Sequence, residues 1–154
     1  MTVARGAWLR AGVVLGCVVI ADQITKHLVD SSIGPTEHRS ILPGLQLVHA
    51  VNEGVAFSVR AGGPQIVVVV IAIAIVAIVA YFVTHVERPL LWLPAGLMVG
   101  GALGNLVDRV RNGAVTDFIK LPHWPAFNLA DASITIGVIA LLFVLRDDGS
   151  PRPG

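Results

Sequence analysis

The run from Pro64 to Thr84, PQIVVVVIAIAIVAIVAYFVT, carries no charged side chain. Its β-branched residues would suit a buried strand, but its length decides otherwise. About 20 apolar residues in a helix cross the hydrocarbon core of a bilayer, whereas a strand needs about half that number. The run therefore predicts a transmembrane helix, with Tyr81 as an interfacial ring near its end. The composition agrees: 55% of the 154 residues are hydrophobic and 14% are charged, against about 25% charged in soluble domains. Mean hydropathy is +0.77. A net charge of +1 gives no basis for a nucleic-acid partner. The one cysteine, Cys17, lies in an apolar run and excludes an internal disulfide and a cysteine-based zinc site.

Three more spans follow from the same reasoning. Trp8 to Lys26 resembles a signal peptide at first, with Arg5 and Arg10 before an apolar stretch. Asp22, Gln23 and Lys26 stand where small residues would prepare a cut, so it reads as an uncleaved first span. Leu90 to Val107 is the third, and Asn128 to Leu145 the fourth. Gly96, Gly100 and Gly104 recur along one face of the third span, a spacing that lets helices pack closely in a membrane. The expected fold is an all-α membrane protein of four transmembrane helices with a small extracytoplasmic insert containing β structure. One domain covers 1–154, with the insert at 30–60 and a disordered tail at 146–154. Within the insert, Leu45 to Val51 alternates like a short strand, and VAFSV after the Asn52–Gly54 turn reads as its returning partner. Val110 to Phe127 reads as a second outside loop. Four spans put both termini on one side. Arg5, Arg10, Arg88 and Arg146 make that side the cytoplasm, although Arg109, Arg111 and Lys120 count against it.

The ionisable residues then need a reason, because polar groups at membrane depth are costly. Between Gly100 and Asp131 stand Asp108, Asp117 and Asp131, with Asn105, Arg109 and Asn128. Two close carboxylates do not both ionise cheaply: one holds its proton while the other stays a base. That arrangement serves water activation and carbonyl protonation in peptide hydrolysis. No competing nucleophile motif is present, neither GxSxG nor HExxH. His49 reads as a packed or solvated side chain. A structural account exists beside the chemical one. Asn128 and Asp131 fit a helix cap and its reciprocal partner. Asp22 and Lys26, four apart, fit an interfacial pair with Lys26 snorkelling. The residues alone leave three classes open: an enzyme, a membrane scaffold with a structural polar cluster, and a small four-helix transporter or proton path.

Five blocks, in order and spanning nearly the whole chain, carry a resemblance. They are DQITK (Asp22–Lys26), NEGVAFS (Asn52–Ser58), GGALGNLVDR (Gly100–Arg109), GAVTDF (Gly113–Phe118) and FNLAD (Phe127–Asp131). Together they resemble the lipoprotein signal peptidase, or signal peptidase II, family. The resemblance implies a four-helix bacterial inner-membrane aspartic endopeptidase. It would cut the signal peptide from diacylglyceryl-modified prolipoproteins just before the lipidated cysteine. It implies Asp117 and Asp131 as the catalytic pair and Asp108 with Arg109 in support. Asp22, Lys26, Asn52, Gly54, Asn105, Asn128 and Ala130 match other functional positions. No metal or cofactor is implied; the partners are prolipoproteins and membrane lipids, and the protein is expected to be a monomer. Asp22 and Lys26 are expected to brace the site, and Asn52 and Gly54 to shape a lip over the substrate. Asp131, in the first turn of a helix whose dipole favours its charged form, is expected as the initial base. Asp117, beside Phe118 and Ile119, is expected as the acid. The loop before the last block is short, and Glu53 falls inside the second block.

Overall fold

The computed structural model describes residues 2–35, 37–53 and 64–147. Helix α1 runs over Thr2–Ser32, followed by strands β1 (His38–Leu42) and β2 (Leu45–Asn52). Helices α2 (Pro64–Thr84) and α3 (Trp92–Asn112), strand β3 (Val115–Lys120) and helix α4 (Leu129–Asp147) complete the order. Val3–Ser32, Gln65–Thr84 and Leu129–Arg146 are long and apolar enough to cross a membrane. Their outward side chains include Ile24, Ile73, Val76, Leu142 and Phe143, all exposed. In water each would forgo about 1.5–3 kcal/mol of burial, a loss that lipid removes.

Helix α3 is the hub, packed against α1, α2, α4 and β3. It continues past the Val107 boundary to Asn112. Hydropathy falls at Asn105, Asp108 and Arg109, but nothing there breaks a helix. The stop is Gly113, left-handed at φ 76, whose N–H donates to the Arg109 carbonyl at 3.1 Å. The glycine stripe works as its spacing predicts. A Cβ at Gly96 would stand 2.8 Å from the Ala11 carbonyl, and one at Gly100 3.0 Å from the Leu15 carbonyl, both on α1. Gly101 faces the other way, where a Cβ would stand 2.5 Å from the Ala130 carbonyl of α4. Gly101→Ala is expected to cost about 1–3 kcal/mol by overpacking. Gly16→Ala, with nothing within 4 Å, is expected to leave stability unchanged. Thermal unfolding of both variants in detergent checks the contrast.

Outside the helices lies a three-stranded antiparallel sheet in the order β1-β2-β3. The expected strand at Leu45–Val51 is there as β2. Its proposed returning strand at VAFSV lies outside the described residues. The partners of β2 are β1, which the sequence reading left in the insert without structure, and β3, which it left in a loop. Phe118 of β3 packs with Val29 of α1 and with Ile33 just past its end, and Leu47 of β2 closes over them. The sheet is thereby pinned to the end of α1. Helix α4 runs to Asp147, so Arg146 and Asp147 are helical; the rest of the tail lies outside the described residues.

Candidate active site

Strand alternation places Asp117 on the face opposite Phe118. With Phe118 held against α1, the Asp117 carboxylate turns toward the start of α4. Ala50 pairs with Asp117 in register, and Asn52, two residues further along β2, lies on the same face. Asn52 Nδ2 donates to Asp117 Oδ2 at 3.0 Å. Asp117 is therefore a strand residue, not a loop residue as the sequence reading had it.

At the start of α4 the cap and the site are one structure. Asn128 Oδ1 accepts the Asp131 N–H at 2.9 Å, and Asp131 Oδ2 accepts the Asn128 N–H at 3.3 Å. This is the reciprocal cap the sequence allowed. The other end of the same amide, Asn128 Nδ2, donates to Asp117 Oδ1 at 2.7 Å. One fully buried asparagine thus holds both carboxylates. Asn105 Nδ2 donates to Asp131 Oδ1 at 2.8 Å, while its Oδ1 accepts from Asn128 Nδ2 at 3.1 Å and from Lys26 Nζ at 2.9 Å.

Behind the pair lies a buried ionic cluster. Lys26 Nζ stands 2.7 Å from Asp22 Oδ2 and 2.6 Å from Asp108 Oδ2. Asp108 Oδ2 has no well-aligned hydrogen bond among the described residues, so the ion pair is what compensates it. Lys26 is 3% exposed and does not snorkel. Its four-residue offset from Asp22 is as read, but two buried anions hold it inward. Asp22 Oδ1 accepts the N–H of fully buried Ala130 at 3.0 Å, which ties α1 to the turn between Asn128 and Asp131. Gly104 is needed at this point, since a Cβ there would stand 2.7 Å from Asp22 Oδ2. Half-buried Arg109 donates to the Asn105 carbonyl at 3.3 Å and lies close enough to feel the charges of Asp131, Asp117 and Asp108.

The reading of the residues passed over Gln23, whose Nε2 donates to Asp108 Oδ1 at 2.8 Å. Its signal was its place beside Asp22, inside the block that also holds Lys26. Gly54 lies outside the described residues. His49 is packed, with Nδ1 3.0 Å from the Ile33 carbonyl and Nε2 3.2 Å from Asp30 Oδ1. Among the described residues no cluster of His, Cys, Asp and Glu suited to a metal is found.

Burial pushes the Asp117 carboxyl above its ordinary range, and the neighbouring Asp131 charge adds to the effect. The amides of Asn52 and Asn128 and the Lys26 charge oppose it. The folded state thus favours protonated Asp117. This contribution to stability is full below the unfolded-state value and is lost as pH rises through the raised folded-state value. Asp117→Asn removes the ionisable proton and with it the cost of burying a charge at this position. The variant is expected to melt above the parent at neutral pH, and the gap to close in acid. Melting curves of the two proteins across pH test the sign.

The family described as Signal peptidase (SPase) II matches residues 14–146. A lipoprotein signal peptidase of Moorella thermoacetica is 42% identical over 130 residues, covering 83% of this chain and 87% of the relative. One of Syntrophomonas wolfei is 44% identical over 133 residues, covering 86% and 89%. A solved structure described as a bacterial membrane enzyme, obtained by the in meso method, superposes with a TM-score of 0.83 at 29% identity. It covers 94% of this chain and 93% of the other.

Proposed function

The chain belongs to the signal peptidase II family and removes signal peptides from prolipoproteins, and we propose that it does so as an aspartic endopeptidase through Asp117 and Asp131. The observation that carries this reading is Asn128, which donates to Asp117 and caps reciprocally with Asp131. One residue thus holds both carboxylates, Asp117 through its side-chain amide and Asp131 through its backbone N–H, and two interacting carboxyl groups titrate as a pair. Asp131 takes a proton from water, the water oxygen attacks the scissile carbonyl carbon, and Asp117 gives its proton to the carbonyl oxygen. As the C–N bond breaks, Asp131 gives its proton to the leaving nitrogen, and one hydroxyl of the tetrahedral intermediate returns its proton to Asp117 as the acid product forms, which restores the pair. No covalent enzyme intermediate is required. Arg109 supports the site from α3, and Asn105, Lys26, Asp22 and Ala130 fix the donors in place.

The substrate in this reading carries a diacylglyceryl-modified cysteine, and cleavage falls just before it. The acyl chains hold the substrate in the bilayer, so it reaches the site by lateral diffusion. Helix α3 is the fourth span in this reading, both termini are cytoplasmic, and the site lies near the extracytoplasmic boundary, where water has access. The arginine-rich flanks support that orientation. Reporter fusions after Gly34 and after Pro122 are expected to give extracytoplasmic signals; cytoplasmic signals at both would reverse the topology. A proton path fits less well. Asp22, Asp108, Asp117 and Asp131 gather at one end of the helices, while the other end is an apolar cluster of Ala7, Ala11, Phe82, Leu91 and Ala95. Incubating the purified protein with a lipidated preprolipoprotein and with its unlipidated form tests the reading. Signal-peptide release from the lipidated form is expected, with the unlipidated form left largely intact. Release from neither would overturn it.

A further inference from the structure

Hairpin tips in water favour Asn-Gly or Asp-Gly. The turn between β1 and β2 reads Ile41-Leu42-Pro43-Gly44-Leu45, without a charge. Leu42 is 60% exposed and Ile41 is exposed too. The register breaks between Ser40 and Leu42, so the strand twists as it enters the turn. Beside it lies a second turn without Asp, Glu, Lys or Arg. Gly44, at φ 83, has Pro122 for its neighbour: a Cβ there would meet Pro122 Cγ at 3.6 Å. Pro122 belongs to the stretch Leu121-Pro122-His123-Trp124, which follows β3. Trp124 is 62% exposed and Leu121 is exposed beside it. The Trp124 N–H donates to the Leu121 carbonyl at 3.3 Å, and Lys120 Nζ donates to the Trp124 carbonyl at 2.9 Å. The loop holding the indole outward is thus built, not loose.

We propose that these two turns form an anchor that rests in the outer boundary of the same bilayer, with Ile41, Leu42, Leu121 and Trp124 among the lipids. The position follows from continuity with the lipid-facing surface of α1. Ile20, Ile24 and Leu28 make an exposed stripe along α1. That stripe leads to Ser32, whose carbonyl accepts from Arg39 of β1 at 2.7 Å. An indole at this level is the side chain most at home in the headgroup region, and Lys120 beside the tip suits an anionic headgroup; Arg39 is already paired with Glu37 at 2.6 Å. The consequence bears on the reaction. Asp117 lies on β3, three residues before Lys120, so the anchor fixes the height of that strand above the hydrocarbon. The anchor rests on the membrane-spanning reading of the helices and does not depend on the catalytic assignment.

The test uses the full chain in nanodiscs. With Trp8→Phe and Trp92→Phe, Trp124 is the remaining tryptophan. Its emission is compared in plain lipid and in lipid brominated near the headgroup, then with iodide in the water. Because Trp8 packs edge-on against Phe82 at 4.9 Å, a second reporter keeps the test independent of that contact. It is a fluorophore on Leu42→Cys in a Cys17→Ala background. Emission at both positions is expected to be at least halved by the brominated lipid and little affected by iodide. Quenching by the brominated lipid at either position supports the anchor. Unchanged emission in brominated lipid at both positions overturns it. Neither signal depends on cleavage, so a failure of the proteolytic reading would appear separately, in the peptide-release assay.

Discussion

Lys26→Met is expected to destabilise the folded protein by about 3–5 kcal/mol, the usual cost of removing one partner from a buried ion pair. Met fills a similar volume, so the loss is one of charge. Lys26 stands between Asp22 and Asp108, and without it two buried carboxylates face one another with no cation between them. Asn105 Oδ1 also loses a donor. The damage then spreads, because Asp22 holds the Ala130 N–H and Asn105 holds Asp131. Adding Asp108→Asn to Lys26→Met is expected to restore part of the loss by removing one of the stranded charges. Unfolding in detergent, by heat and by denaturant, reads both effects. A Lys26→Met protein that melts with the parent would show that the cluster does not hold α1 to α3.

The substitutions at the carboxylate pair have a different signature. Asp117→Asn and Asp131→Asn keep the shape of the side chain and remove the transferable proton. Each is expected to lower turnover by at least ~100-fold, the low end for losing a general acid or base. Substrate binding is expected to persist, since neither change removes apolar surface or a span. The double substitution is expected to be little worse than either single one, because the two residues act as a unit. Asp108→Asn is expected to act less on turnover. Its carboxylate faces Lys26 and Gln23 in place of the pair. Asp117→Asn adds a second mark, since it trades activity for stability at neutral pH. A residue retained only for packing would lose both together.

Much of this was legible because a bilayer makes hydropathy a strong signal. The spans at Pro64–Thr84 and near Asn128–Leu145 announce themselves, and the glycine stripe of α3 states which face packs tightly. Hydropathy marks the membrane, however, and not the helix, so it ended α3 at Val107 when the backbone runs on to Gly113. Strand β3 was illegible for a reason tied to the site. Val115, Asp117 and Ile119 share one strand face, and Asp117 is a buried carboxylate where alternation would call for an apolar residue. The residue proposed to act as the acid is the one that breaks the pattern. The sequence left snorkelling open for Lys26 beside its bracing role, because its second anion, Asp108, is far away in sequence and arrives only with α3. Asn128 was read as a cap, and it is one. Its second role needed Asp117, whose approach depends on the packing of Phe118 against α1.

The most direct measurement is single-turnover cleavage of a lipidated prolipoprotein in nanodiscs by the parent, Asp117→Asn, Asp131→Asn and Asp108→Asn, each first shown to be folded. The expected result is at least ~100-fold slower cleavage for the first two substitutions, with substrate still bound, and a smaller loss for the third. Near-normal cleavage by either Asp117→Asn or Asp131→Asn would contradict the account, remove that residue from the mechanism and bring Asp108 forward in its place.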